Sequence, residues 1–159
     1  MISSSRTNRT RWLVAAALLL SLPLAWAAAP TGKFTAGTGF VVDNQTGLTW
    51  QHPTSGGQMS YVAAQTACGD LVLDGKDDWR LPTLQELYSL VDFNVVGLAA
   101  YIDATAFPGT SFGQHWTATQ APSKLASSDR FAVAFNSNYG PVHNTLSISF
   151  SSAYVRCVR

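Results

Sequence analysis

The run Asp77-Asp78-Trp79-Arg80-Leu81-Pro82-Thr83-Leu84-Gln85-Glu86-Leu87 constrains the chain more than any other stretch, because in it a loop must become a helix at one fixed residue. Thr83 followed three positions later by Glu86 is a capping box. The Thr hydroxyl accepts from the Glu86 amide, and the carboxylate reaches back to the Thr83 amide. Pro82 has no amide to donate and holds Leu81 extended, so the helix begins no earlier than about Thr83. Behind the cap, Leu84, Leu87, Tyr88 and Val91 recur at three- and four-residue steps and form one apolar face. Trp79 brings a large ring to the same corner. Arg80 is expected to lie beside Asp77 and Asp78, which makes Trp79, Arg80, Pro82, Thr83 and Glu86 a structural junction of loop, helix and core.

The N-terminus has a different character. Arg6, Arg9 and Arg11 precede a mostly apolar run, Trp12 to Leu24, which ends at Ala25-Trp26-Ala27. A basic start, a short apolar run and a small-x-small site are the pattern of a secretory signal peptide, with the cut expected after Ala27. The run is short for a membrane span, and no Cys stands at the cut region to carry a lipid anchor. Residues 1–27 are therefore read as the signal, 28–33 as a leader and 34–159 as one domain. Cleavage at that site leaves 7 basic residues against 9 acidic ones, a mildly acidic chain with no polybasic surface for nucleic acid or anionic lipid.

Export bears on the two cysteines, Cys68 and Cys157. In an oxidising compartment one disulfide is the economical reading. Two buried free thiols or a redox pair are the alternatives, although a redox pair normally uses a C-x-x-C spacing, which is absent.

In chain order, Pro30 to Gly39 leads into a hairpin, Phe40–Asp43 and Leu48–Gln51 around Asn44-Gln45-Thr46-Gly47. After a Gly/Pro loop, Ser60 caps a helix predicted to run to Leu71, with Tyr61, Ala64, Cys68 and Leu71 on one face. Residues 92–113 form a long loop packed by Ile102, Phe107 and Phe112. Strands are predicted at 115–119, 130–135 and 154–158. In the last of these, Val155 and Cys157 share one face and Tyr154, Arg156 and Val158 the other. The order predicts an α+β domain, two helices packed on a small antiparallel sheet with long loops.

Catalytic patterns are sparse. His52, His115 and His143 lack metal-ligand spacing, no Gly-x-Ser-x-Gly elbow occurs, and the sole Glu is committed to the cap. No enzyme activity and no cofactor are therefore expected. Asp74, Asp77 and Asp78 match neither the spacing of an EF-hand loop nor its closing Glu, and are read as a turn bonded to its own backbone and to Arg80. Trp116 is read as core. The turn Asn136-Ser137-Asn138-Tyr139-Gly140 together with His143 gathers a ring, two amides and an imidazole, so Asn136, Asn138, Tyr139 and His143 are the candidate binding residues.

Phe40 to Gln51, Asp78-Trp79-Arg80-Leu81-Pro82-Thr83 with Glu86-Leu87, Ala106-Phe107-Pro108-Gly109-Thr110, and Tyr154-Val155-Arg156-Cys157-Val158-Arg159 together resemble the C-terminal domain of the Legionella collagen-like adhesin, over about residues 34 to 159. The resemblance implies a C-type-lectin-like fold, in which a disulfide from the first helix to the last strand is usual. The Trp-Arg-Leu-Pro-Thr run is also similar to one in formylglycine-generating enzymes. The sugar-binding Glu-Pro-Asn, Gln-Pro-Asp and Trp-Asn-Asp motifs of calcium-dependent lectins are absent, as are a Gly-x-y tract and a basic cluster. What the resemblance implies is an exported recognition module, periplasmic or at the cell surface, binding a glycan or an envelope or surface protein without a metal. The alternatives are a structural domain of an envelope assembly and a divergent enzyme on the formylglycine-generating scaffold.

Overall fold

The computed structural model describes residues 32–95, 99–122, 128–135, 141–149 and 151–159. The segment read as a signal, residues 1–27, and the predicted turn carrying Asn136, Asn138 and Tyr139 lie outside these residues.

The described residues form an α+β domain with two three-stranded antiparallel sheets, where the sequence predicted one. The first sheet is β1 (Phe34–Ala36), β2 (Phe40–Asp43) and β3 (Thr49–Gln51), in that order. Its hairpin forms as predicted. The Asp43 carboxylate accepts from the Gln45 amide at 2.9 Å, and Gly47, at φ 75°, takes the left-handed conformation that closes the turn. Val41 pairs with Trp50, and both are fully buried. β1 lies in the Gly- and Thr-rich stretch read as a lead-in. Two of its three residues are exposed, so burial left no period-2 apolar signature there.

Helix α1 (Tyr61–Gly69) is capped by Ser60, whose hydroxyl accepts from the Ala63 amide, and it buries Tyr61, Ala64 and Cys68. It stops two residues before the predicted Leu71. Asp74 and Gly75, at φ 54° and 66°, then make a two-residue turn. Leu73 and Lys76 exchange backbone bonds of 2.9 and 3.1 Å across it, an arrangement that Asp-Gly favours. Helix α2 (Leu84–Tyr88) carries both bonds of the capping box. It is one short turn and a half rather than a helix to Val91: the Leu90 and Val91 amides tighten onto Leu87 and Tyr88 carbonyls three residues back. Leu90 and Val91 are nevertheless buried with Leu87.

The second sheet is β4 (Gln114–Gln120), β5 (Arg130–Ala134) and β6 (Val142–Leu146), in order β4-β5-β6. β6 has no counterpart in the predicted elements. Its middle residues His143, Asn144 and Thr145 are exposed, so hydropathy does not reveal it. This sheet divides the interior in two. Val133 faces a cluster with Leu87, Leu90, Phe107 and Phe135, while Trp116 faces Tyr61, Ala64, Cys68 and Trp79.

The C-terminal segment 153–159 fastens the parts together. Ala153 pairs with Met59, Tyr154 with the edge of β4, Cys157 and Arg159 with β3, and Val158 exchanges two 2.9 Å bonds with Arg80. Val155 and Cys157 enter one core and Val158 the other, the alternation predicted for this stretch, achieved through single bridges rather than a continuous strand. The Cys68–Cys157 disulfide closes a loop of 89 residues between helix and terminus, worth about 4 to 5 kcal/mol by the chain-entropy relation.

Two local expectations are corrected. Arg80 does not pair with Asp77 or Asp78. Its guanidinium binds Glu86 at 2.7 and 2.8 Å, and Asp78 pairs instead with Arg159 at 2.6 Å. Both preferences are carboxylate–guanidinium recognition, and the backbone path decides which carboxylate is in reach. In the loop, Ile102 and Phe107 are buried as expected, but Phe112 is 50% exposed. The two Asp-centred turns at Asp92 and Asp103 order the loop without it.

Candidate functional site

Phe131 and His143 lie on one face of the second sheet, because Val133 is opposite His143 and Phe131 opposite Thr145. They are diagonal neighbours with ring centroids 5.9 Å apart. Helix α2 ends over this face, so Tyr88, its last residue, meets the His143 ring edge-on at 6.4 Å. Beyond Tyr88 the chain turns at Asp92, whose carboxylate accepts from the Asn94 amide at 2.9 Å. That turn carries Phe93 to within 6.4 Å of the Tyr88 ring. The result is a row of four rings, Phe93, Tyr88, His143 and Phe131, at the β6 edge. Phe93 is 66% exposed, His143 is exposed, and Tyr88 and Phe131 are half-buried. Arg130 points away from the row: it lies 5.0 Å from the Tyr61 ring and donates to the Tyr61 hydroxyl. Such a surface offers aromatic edges and faces, a phenol and an imidazole, and can stack on an apolar ring while bonding its hydroxyls.

Of the predicted binding residues, His143 is thus exposed at a cluster of rings. Asn136, Asn138 and Tyr139 belong to the neighbouring segment outside the described residues. Sequence reasoning missed Tyr88, Phe93 and Phe131. Tyr88 read as part of a helix face, and nothing in the spacing of Phe93 and Phe131 links them. Trp79 is buried with its indole N–H donating to the Lys76 carbonyl at 3.1 Å, and Thr83 and Glu86 close the cap of α2. Trp116, read as core, is fully buried and donates to the Met59 carbonyl.

Two other places have distinct chemistry. A shallow groove of about 150 Å³ has a floor of Phe40, Leu73 and Trp79 and a rim of Asp74, Lys76 and Arg159. With Asp78 held by Arg159, the acidic turn is not a free carboxylate cluster. No group of three or more His, Cys, Asp or Glu side chains able to hold a metal occurs among the described residues. The second place is interior. Arg156 is buried, donates to the Gln51 carbonyl at 3.0 Å and the Thr110 hydroxyl at 2.8 Å, and lies 4.7 Å from the Phe107 ring centroid. Burial alone pulls its pKa down to about 10. His115 is also buried, its Nδ1 bonded to the Gly113 carbonyl. Burial, and then the Arg156 charge, depress its pKa to about 3, so it is neutral at physiological pH and is not a poised acid or base. The same two causes, in the same order, lower His52.

The family model described as the Lcl C-terminal domain matches residues 39–159. The chain belongs to the Lcl C-terminal domain family. The match takes in both helices, both cysteines and the whole second sheet, and begins just after β1. All four rings of the row therefore lie within the Lcl C-terminal domain. No curated protein and no solved structure matches the chain. Membership associates the chain with an adhesin-type domain and a surface or exported setting. Among the described residues no helix is long and apolar enough to cross a membrane.

Proposed function

We propose that the protein is an exported, non-catalytic recognition module with a C-type-lectin-like fold, periplasmic or at the cell surface, and that it binds a glycan through the ring row Phe93, Tyr88, His143 and Phe131. The observation carrying this reading is the row itself. Monomeric domains bury most of their large rings, and a line of them at a sheet edge is a surface on which a ligand recovers the burial that folding did not. Recognition is taken to be calcium-independent, Asp78 of the acidic turn being paired with Arg159.

The test is a glycan array on the mature protein, followed by titration of the best ligand against Tyr88→Ala and His143→Ala. Affinity should fall in both, with His143→Ala keeping the melting curve because that ring is exposed, and binding should survive a chelator. A ligand indifferent to both substitutions would move the site elsewhere. Export is checked by mass spectrometry of the mature N-terminus, expected at Ala28.

A further inference from the structure

The turn from Leu73 to Lys76 lies against the first sheet and forms one side of the shallow groove there. It is fixed from three directions. Leu73 and Lys76 exchange backbone bonds, the Trp79 indole N–H donates to the Lys76 carbonyl, and Gly39 leaves room for Leu73, because a Cβ at that glycine would stand 2.8 Å from Leu73 Cδ1. Phe40, Leu73 and Trp79 supply an apolar floor, and Phe40 and Leu73 are only half-buried. The volume of about 150 Å³ is that of a cavity that accepts a benzene ring, so one aromatic ring or branched aliphatic group fits it.

The rim of the groove is Asp74, Lys76 and Arg159, and all three have bonding capacity left. Among the described residues the Asp74 carboxylate and the Lys76 ammonium take part in no hydrogen bond or ion pair. Arg159 gives Nε and Nη2 to Asp78 and keeps Nη1. The pKa of Arg159 is raised first by its bond to Asp78 and, at longer range, by the Asp74 charge, so Asp74 stands near that guanidinium without bonding to it. Asp74 and Lys76 flank Gly75, which keeps their Cα atoms within about 7 Å of each other. An acid and a base at that spacing, over an apolar floor, match a molecule whose ammonium and carboxylate share one carbon and whose side chain is apolar.

We propose that this groove binds a free α-amino acid with an aromatic or branched aliphatic side chain. The Asp74 carboxylate accepts from its ammonium, Lys76 and Arg159 Nη1 donate to its carboxylate, and its side chain lies on Phe40, Leu73 and Trp79. A neutral sugar has neither charge and a peptide terminus has only one, so each leaves part of the rim unanswered. The groove belongs to the first sheet and the ring row to the second, and the site does not rest on the glycan reading.

Calorimetric titration of L-phenylalanine into the full protein at pH 7.5 should give saturable one-site binding with a Kd on the order of 1 mM, the range open to a small ligand on a shallow surface. N-acetylphenylalanine lacks the ammonium and phenylalanine amide lacks the carboxylate, and each should bind about threefold more weakly or worse. Glycine, with both charges and no side chain, should show no saturable binding. Asp74→Asn keeps a residue that tolerates the left-handed φ of 54° at this position, and Lys76→Gln alters an exposed side chain, so both variants should fold. Each should weaken phenylalanine about threefold or more, and in the unaltered protein the backbone amide resonances that shift on titration should be those of residues 73–76 and Phe40. A titration that does not saturate at about ten times the expected Kd, an N-acetyl or amide derivative that binds as well as phenylalanine, or an affinity unchanged in both variants overturns the assignment. Glycan binding by Lys76→Gln should equal that of the parent, which separates failure here from failure of the ring-row reading.

Discussion

Arg80 grips Glu86 with both terminal guanidinium nitrogens, at 2.8 and 2.7 Å, and the same carboxylate accepts from the Thr83 amide at 2.8 Å. One side chain thus closes the cap of α2 and anchors the residue whose backbone pairs with Val158. Removing the cap hydroxyl in Thr83→Ala should cost about 1 kcal/mol in urea unfolding. Glu86→Gln keeps an acceptor and loses the charge, and should cost about the same or less, since the pair is partly solvent-exposed. A Glu86→Gln protein as stable as the parent would show that the ion pair contributes nothing beyond the cap.

Acid should destabilise the protein in two stages. Burial and then Arg156 hold folded His115 near pKa 3 against an ordinary 6.5, so between those values the unfolded chain binds a proton that the folded one refuses. Stability is complete above about pH 6.5 and falls as pH drops toward 3, by on the order of 4 kcal/mol for this group. His52, also lowered, adds in the same direction. Glu86, taken from 4.5 to about 2 chiefly by its bonds to Arg80, adds a loss below pH 4.5. Denaturant midpoints measured from pH 7.5 to 3 at constant ionic strength should trace this decline, and His115→Gln should flatten its upper part.

Non-reducing peptide mapping should recover a single Cys68–Cys157 link. Replacing both residues by Ser should lower stability by about 4 kcal/mol, because an 89-residue loop is then free in the unfolded chain. Ready thiol labelling of the native protein would contradict the staple.

Trp79 and Phe112 are both large rings in irregular segments, at 4% and 50% exposure. Trp79→Ala should cost about 3 kcal/mol or more and Phe112→Ala less than about 0.5. Thermal or urea melts of the pair would reveal any misplacement of the two.

At the ring row, Phe93→Ala should leave stability within about 0.5 kcal/mol of the parent, since the ring is exposed, and lower glycan affinity by about 1 to 3 kcal/mol if it is an anchor. Calorimetric titration with the array-selected glycan measures the second number.

What could be read in the sequence was what neighbours settle. The Thr83–Glu86 cap, the Ser60 cap, the Asp43–Gly47 turn and the strand cores at 115–119 and 130–134 all depend on residues within a few positions of one another, and all form. The cysteine pairing was legible for another reason: two thiols in an oxidising setting leave little choice. What tertiary structure decided was the choice among equivalent long-range partners. Arg80 had acidic neighbours at Asp77 and Asp78 yet binds Glu86, while Asp78 binds an arginine 81 positions away. Both arrangements satisfy the same local chemistry, and only the path of the C-terminal segment brings Arg159 into reach. β1 and β6 escaped detection because an exposed edge strand needs backbone partners rather than an apolar pattern. The row from Phe93 to Phe131 was invisible for the same reason. Its rings come from a turn, a helix end and two strands, and they meet only because the second sheet sets its edge beneath the end of α2.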